Sequence, residues 1–219
     1  MKAFIFDLNG TMINDMEYHL DGWHSMLNKL GANMSREEVR GHMYGKNEEL
    51  LMRIFGKDRF SLPEMLDIAH QKEVLYQEAF RPHLSLIAGL PEFLREAAAQ
   101  HIPMAIGSAA NNFNISYVLD NLQLRHFFKA VVGAEDVETS KPNPEVFLKC
   151  AAALNVAPTD CIVFEDAPKG VEAALNAGME AIALTTMHTR EEFAAYNNIR
   201  AFVTDYTDPA LQQLITTTV

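Results

Sequence analysis

The chain has 219 residues, 48% of them hydrophobic and 21% charged, with a formal net charge of −11. That apolar content excludes a disordered chain, and the length fits one large domain or a domain carrying a smaller inserted one. The negative charge repels nucleic-acid phosphates and anionic membranes, and no run of Lys or Arg offsets it, so neither is expected as a partner.

In chain order, the first apolar stretch, in MKAFIFDLNG, is too short for a signal peptide or a membrane span. Strand-length apolar runs follow as AFIF (3–6), PMAIG (103–107), AVVG (130–133), CIVF (161–164), AIAL (181–184) and AFVT (201–204). Segments with helical periodicity separate several of them, which predicts an α/β fold with a doubly wound, mainly parallel sheet. Residues 15–82 break the alternation. They hold no strand run but carry two capping-box signatures, Ser35 with Glu38 and Ser61 with Glu64. The expected organisation is an α/β core of residues 1–14 and 83–219, with residues 15–82 as an inserted all-helical domain. The topology of open α/β sheets makes that insertion a candidate lid. Cys150 and Cys161 are expected as separate buried thiols in a reducing, cytoplasmic setting.

Four segments place chemistry at strand ends. In FIFDLNGTM a buried strand ends at Asp7 and runs into a polar turn of Asn9, Gly10 and Thr11; on their own these residues also read as ordinary turn formers. In MAIGSAANN a strand ends at Gly107, and Ser108 with the amides after it, Ala109 first, can hold a phosphate oxygen if a helix starts there. Lys141 stands just before a helix start at Asn143-Pro144, where it can balance a carboxylate and a phosphoryl group. In CIVFEDAPKG the adjacent acids Glu165 and Asp166 repel each other at a strand end, a cost that a hard cation relieves.

Taken together and in order, these segments resemble the motifs of the haloacid dehalogenase superfamily: D-x-x-G-T at Asp7, then Ser108, then Lys141-Pro142, then Glu165-Asp166. EYH at 17–19 followed by Trp23, Gly45, KPNPEVF and EDAPKG resemble the C1-capped, β-phosphoglucomutase-like branch. The resemblance implies a Rossmann-like core with a helical cap domain, and a phosphoric monoester hydrolase that transfers phosphate through an aspartyl-phosphate at Asp7. It implies Mg²⁺ held by Asp7, the backbone carbonyl of Asn9, Asp166 and water, with Glu165 assisting. It also implies phosphoryl oxygens bound by Gly10, Thr11, Ser108, Ala109 and Lys141, and cap positions at His19, Trp23, Gly45 and Lys46. The partner is then a small phosphorylated metabolite, a sugar phosphate being one candidate. The oligomeric state stays open, a monomer being compatible.

Two departures qualify this reading. Asn9 stands where the superfamily's phosphatases carry a second Asp that acts as acid and base, and Asn has no titratable proton. Glu48 occupies the place of an Arg that binds a second phosphate, and Asn111 replaces a Lys after Ser108, which argues against true β-phosphoglucomutase activity. Asp15, His19 and Glu48 are the candidates to supply the missing proton. A phosphometabolite-binding or regulatory protein is the alternative to a slow hydrolase. A 2-haloacid dehalogenase fits less well, because the Glu165-Asp166 pair suits a cation. Phosphonate cleavage is weaker still, Lys46 being the nearest candidate for an imine-forming lysine.

Overall fold

A computed structural model describes residues 2–216. They divide into two units, Met1–Asn14 with Ser85–Val219, and Asp15–Leu84. In the first unit β1 (Ala3–Phe6) enters the sheet, and the chain returns at Ser85. There an Ile13–Leu86 bridge and a bond from Ile87 N–H to the Met12 carbonyl at 2.9 Å join the two crossings.

The second unit holds α1 (Met16–Lys29), α2 (Arg36–His42), α3 (Asn47–Phe55) and α4 (Leu62–Phe80) around a core that includes Leu20, Trp23, Leu27, Val39, Leu51 and Met65. Both capping signatures are built. The Glu38 carboxylate accepts the Ser35 amide at 2.7 Å, and the Glu64 carboxylate accepts the Ser61 amide at 2.8 Å, so amides left over at each helix start are satisfied. A short 3-10 turn, Arg81–His83, continues α4. The unit therefore ends at Leu84, two residues later than the sequence predicts, because a proline is tolerated in the first turn of a helix.

The first unit continues with α5 (Leu90–Ala99), β2 (Met104–Gly107), α6 (Asn112–Asn121), β3 (Ala130–Val132), α7 (Glu145–Leu154), β4 (Cys161–Glu165), α8 (Pro168–Asn176), β5 (Glu180–Leu184), β6 (Ile199–Val203) and α9 (Pro209–Thr216). Among the described residues the strands form one six-stranded sheet, in the order β3-β2-β1-β4-β5-β6. Every pairing is parallel, as the near-continuous apolar runs predict. Pro103 stays outside β2 because it lacks an amide proton, yet its carbonyl accepts Phe4 N–H at 3.0 Å. A register shift at Ala181/Ile182 accompanies the pairing of β6 from Ile199, ahead of the predicted start.

Alternate residues of β1 serve two cores. Ala3 and Ile5 pack with Val146, Phe147, Cys150 and Val171 on one face. On the other, Phe4 stacks on Phe93 and Phe6 stacks on Phe164 with ring centroids 4.6 Å apart; Tyr206 joins the same aromatic cluster. Phe6 and Phe164 are also register partners, and each precedes an acid, so the ring stack fixes the heights at which Asp7 and Glu165 leave the sheet. Both cysteines are free and buried; burial pushes the Cys150 thiol up to about 12 and the Cys161 thiol up to about 11, which leaves them as inert thiols. Among the described residues no helix is long and apolar enough to cross a membrane.

Candidate active site

The carboxyl ends of β1, β2 and β4, neighbours in the sheet, carry Asp7, Ser108, and Glu165 with Asp166. The Asp7 amide donates to the Phe164 carbonyl at 2.9 Å and the Ser108 amide to the Val132 carbonyl at 3.0 Å, which ties these exits to neighbouring strands. From the loop before α7, where the Lys141–Pro142 bond is cis, the Lys141 ammonium reaches Asp7 Oδ1 at 2.6 Å and Glu165 Oε1 at 2.7 Å. All three side chains are buried. The second Glu165 oxygen accepts the Ala167 amide at 2.7 Å, just before α8. Gly170 allows that approach, since a Cβ there would stand 1.7 Å from Glu165 Oε1. Glu165 is thus fully engaged, not solvated.

Asp166 is buried too, and its one hydrogen bond among the described residues comes from Thr11 Oγ1 at 3.2 Å. Thr11, for which the resemblance implies a phosphoryl contact, is fully buried with its hydroxyl directed at Asp166. Gly10 has φ +74°, and a Cβ on it would lie 2.1 Å from Asp166 Oδ2, so the turn and the acid share space that only glycine leaves open. Asn9, half-buried in the same turn, bridges to Ile13.

The electrostatics follow from three buried acids facing one base. Burial pushes the Asp7 carboxyl up to about 7, with Glu165 adding to the rise and Lys141 opposing it. Burial, then Glu165 and Asp7, push Asp166 well above the usual carboxylate range. Burial works against the Lys141 charge as well, but Asp7 and Glu165 outweigh it and hold the ammonium above the usual lysine range. Near neutral pH such a cluster retains a proton or takes up a cation.

The residues present fit a hard divalent cation. Asp166 has unused acceptor capacity, Asp7 keeps an oxygen beyond the one bonded to Lys141, and the available donors are all oxygen. Among the described residues no three His, Cys, Asp or Glu side chains gather as a metal-binding group, because Glu165 is turned toward Lys141 and Ala167. A cation here would need a backbone carbonyl and water beside the two aspartates.

The segment after Ser108 departs from expectation. The helix α6 begins at Asn112, not at Ser108, and its cap is Asn111, whose side chain accepts the Asn114 amide at 3.0 Å. Asn111, which stands in the place of a Lys after Ser108, thus serves as the N-cap of α6. Ser108 Oγ accepts the Ala110 amide at 3.1 Å, which closes a bend through Ala109 and leaves the Ser108 hydroxyl proton to donate.

The remaining candidates lie in the second unit. Trp23 is a core residue of α1. Gly45 takes φ +77°, Lys46 is the cap residue of α3, and Glu48 lies in the first turn of that helix. His19 belongs to a buried polar network that sequence reading largely missed. Lys72 Nζ lies 2.8 Å from both His19 Nδ1 and Glu73 Oε1, and Glu73 also accepts Asn47 Nδ2 at 2.8 Å. His19 stacks on Tyr76, and Asp15 accepts the Tyr76 hydroxyl and lies 3.3 Å from His19 Nε2. Asp15 and His19, candidate proton sources, are thus committed to each other. Burial lowers the Lys72 pKa while Glu73 opposes the shift. The signal in the sequence was the spacing of Ala69, Lys72, Glu73, Tyr76 and Phe80, which sets a Lys-Glu pair on the apolar stripe of α4.

Residues 4–184 match the family model described as haloacid dehalogenase-like hydrolase. The chain is 31% identical over 192 residues to β-phosphoglucomutase of Bacillus subtilis, covering 84% of this chain and 83% of that one. It is 32% identical over 191 residues to fructose-1-phosphate phosphatase YqaB of Escherichia coli, covering 82% and 94%. The crystal structure of β-phosphoglucomutase from Clostridium difficile is similar with a TM-score of 0.82 and 26% identity, covering 99% of this chain and 97% of that one. The matched span takes in Asp7, Ser108, Lys141, Glu165 and Asp166, and the chain belongs to the haloacid dehalogenase-like hydrolases.

Proposed function

We propose that this hydrolase is a Mg²⁺-dependent phosphatase of small phosphorylated carbohydrates, working through Asp7. The observation that carries the reading is the meeting of Asp7 and Glu165 on one lysine, with Asp166 left short of partners at the same sheet edge. By name, the relatives that the chain resembles act on phosphorylated sugars, which supports that substrate class.

In the first displacement an Asp7 oxygen bonds to phosphorus as the ester P–O bond breaks, giving an aspartyl-phosphate and the sugar alkoxide. Water then attacks that phosphorus and releases inorganic phosphate, returning Asp7 as a carboxylate. Lys141 keeps Asp7 oriented and offsets charge, while the Ser108 hydroxyl and the Ala109 amide hold a phosphoryl oxygen. Asp7, the Asn9 carbonyl and Asp166, with Glu165 behind them, would hold Mg²⁺, which when bound would supply charge stabilisation to the phosphoryl oxygens. Asn9 has no proton to give the alkoxide, so protonation falls to water and turnover is slow.

The test is phosphate release from a panel of sugar phosphates with Mg²⁺, comparing the chain with Asp7→Ala. Release that depends on Asp7 is expected; equal release by both proteins excludes the reading. Asn9 favours one other reading, a phosphometabolite-binding or regulatory protein that has lost turnover. Mg²⁺-dependent binding of a sugar phosphate with no release over hours would select it.

A further inference from the structure

The turn after Asp7 is internally bonded through only some of its carbonyls. Met12 N–H donates to the Leu8 carbonyl at 2.8 Å, and Gly10 N–H donates to the Ile13 carbonyl at 2.8 Å. The carbonyls of Gly10 and Thr11 are held from elsewhere in the first unit. Thr186, just past β5, donates its hydroxyl to the Gly10 carbonyl at 2.7 Å. Tyr206, past β6, donates its hydroxyl to the Thr11 carbonyl at 3.1 Å.

Neither donor belongs to the four motif segments, yet each fixes one of two consecutive peptide planes. Those planes carry the features that seat Asp166, namely the missing Cβ of Gly10 and the hydroxyl of Thr11. A trans peptide is rigid, so pinning a carbonyl also aims the amide on its other side. Tyr206 is itself immobilised. Its ring packs in the aromatic cluster with Phe6, Phe93 and Phe164, and its amide donates to the Ala88 carbonyl at 2.9 Å. Gly89 lets that backbone approach, since a Cβ there would stand 2.6 Å from the Tyr206 carbonyl carbon.

We propose that Thr186 and Tyr206 are positioning residues, two hydroxyls that clamp the Gly10–Thr11 turn and thereby hold Asp166 in register with Asp7. The clamp rests on the phosphatase reading for its purpose, but its geometry stands without it. Thr186 and Tyr206 spend their hydroxyl protons on the turn, so their loss should weaken the cation site and slow turnover without changing substrate affinity.

The test uses the full chain with Thr186→Val, Thr186→Ser and Tyr206→Phe. Thr185→Val serves as the control, because Thr185 bonds the Val203 carbonyl at 3.4 Å and no part of the turn. The first readout is the Mg²⁺ concentration that gives half-maximal thermal stabilisation, which needs no turnover. Thr186→Val and Tyr206→Phe should each raise it about fivefold, the worth of one neutral hydrogen bond, and Thr186→Ser and Thr185→Val should leave it unchanged. The second readout is steady-state phosphate release, where kcat should fall by about the same factor with KM unchanged. Wild-type midpoints in both hydroxyl-deleted variants overturn the clamp while leaving the phosphatase reading in place. No Asp7-dependent release, with Mg²⁺ midpoints shifted as stated, removes the phosphatase and keeps the clamp. No Mg²⁺ stabilisation of the wild type overturns the clamp. If Thr186→Val fails to fold, Tyr206→Phe decides alone, because it keeps the ring and removes only the oxygen.

Discussion

The ammonium of Lys141 and the carboxylate of Asp7, 134 positions apart in the chain, meet at 2.6 Å in a buried site. Lys141 is also the cation that Glu165 touches, so removing it strands two acids at once. Lys141→Met should cost about 3–5 kcal/mol of stability near neutral pH, the usual penalty for breaking a buried pair from one side. The loss should shrink in acid, where the stranded carboxyls take up protons. Urea unfolding at two pH values measures it; a pH-independent loss would mean that Lys141 acts through packing alone.

Asn9→Asp should raise kcat for phosphate release by about 10² to 10⁴, the usual worth of a positioned general acid. Steady-state kinetics of both proteins on one sugar phosphate checks this. An unchanged kcat would mean that proton delivery to the leaving oxygen is already supplied by another group.

The pH dependence of stability has a definite sign. Burial raises the Asp7 carboxyl from 3.8 in the unfolded chain to about 7 in the folded one. The folded state therefore binds the proton more tightly, and this contribution is present in full below about pH 4 and lost as pH rises through about 7. Asp166 shifts in the same direction. Without metal, the melting temperature of the wild type relative to Asp7→Asn should fall between about pH 5 and about pH 8. Mg²⁺ displaces protons from the same carboxylates, so the stabilisation it gives should grow over that interval. Thermal scans with and without Mg²⁺ at both ends check the pair of trends. Mg²⁺ stabilisation that is strongest in acid would remove Asp7 and Asp166 as its ligands.

Gly10→Ala places a methyl 2.1 Å from Asp166 Oδ2 at a φ of +74°. It should abolish the Mg²⁺-induced rise in melting temperature. Gly31→Ala is the comparison, since Gly31 has φ +92° but nothing within 4 Å of the added carbon. It should cost only about 1 kcal/mol, the backbone penalty alone, and keep the Mg²⁺ response. Equal behaviour of the two variants would show that backbone strain, not the space shared with Asp166, governs the turn.

What the sequence discloses here follows from how each contact is made. Asp7, Ser108, Glu165 and Asp166 are legible because a continuous apolar run followed by a polar residue marks the end of a buried parallel strand, and the sheet order brings β1, β2 and β4 side by side. Thr186 and Tyr206 are not legible, because a hydroxyl that donates to a distant carbonyl leaves no spacing in the chain. The capping role of Asn111 is not legible, because only the position of the first turn of α6 marks that residue as its cap. Lys72 and Glu73 are legible only in part: their spacing sets them on the apolar stripe of α4, but the partners that satisfy them, Asn47 and His19, come from two other helices.

The sheet order also sets a schedule for synthesis. The strand Ala3–Phe6 is made well before its two neighbours in the sheet, Met104–Gly107 and Cys161–Glu165. At the usual pace of a ribosome, about 5–20 residues per second, that all-apolar strand stays without its second partner for on the order of ten seconds. The helices of Asp15–Leu84 carry their own core and can form during that wait. Until residues 161–165 are made, one edge of this apolar strand lacks its partner, so the yield of folded protein should depend on how fast the stretch between residues 104 and 165 is translated.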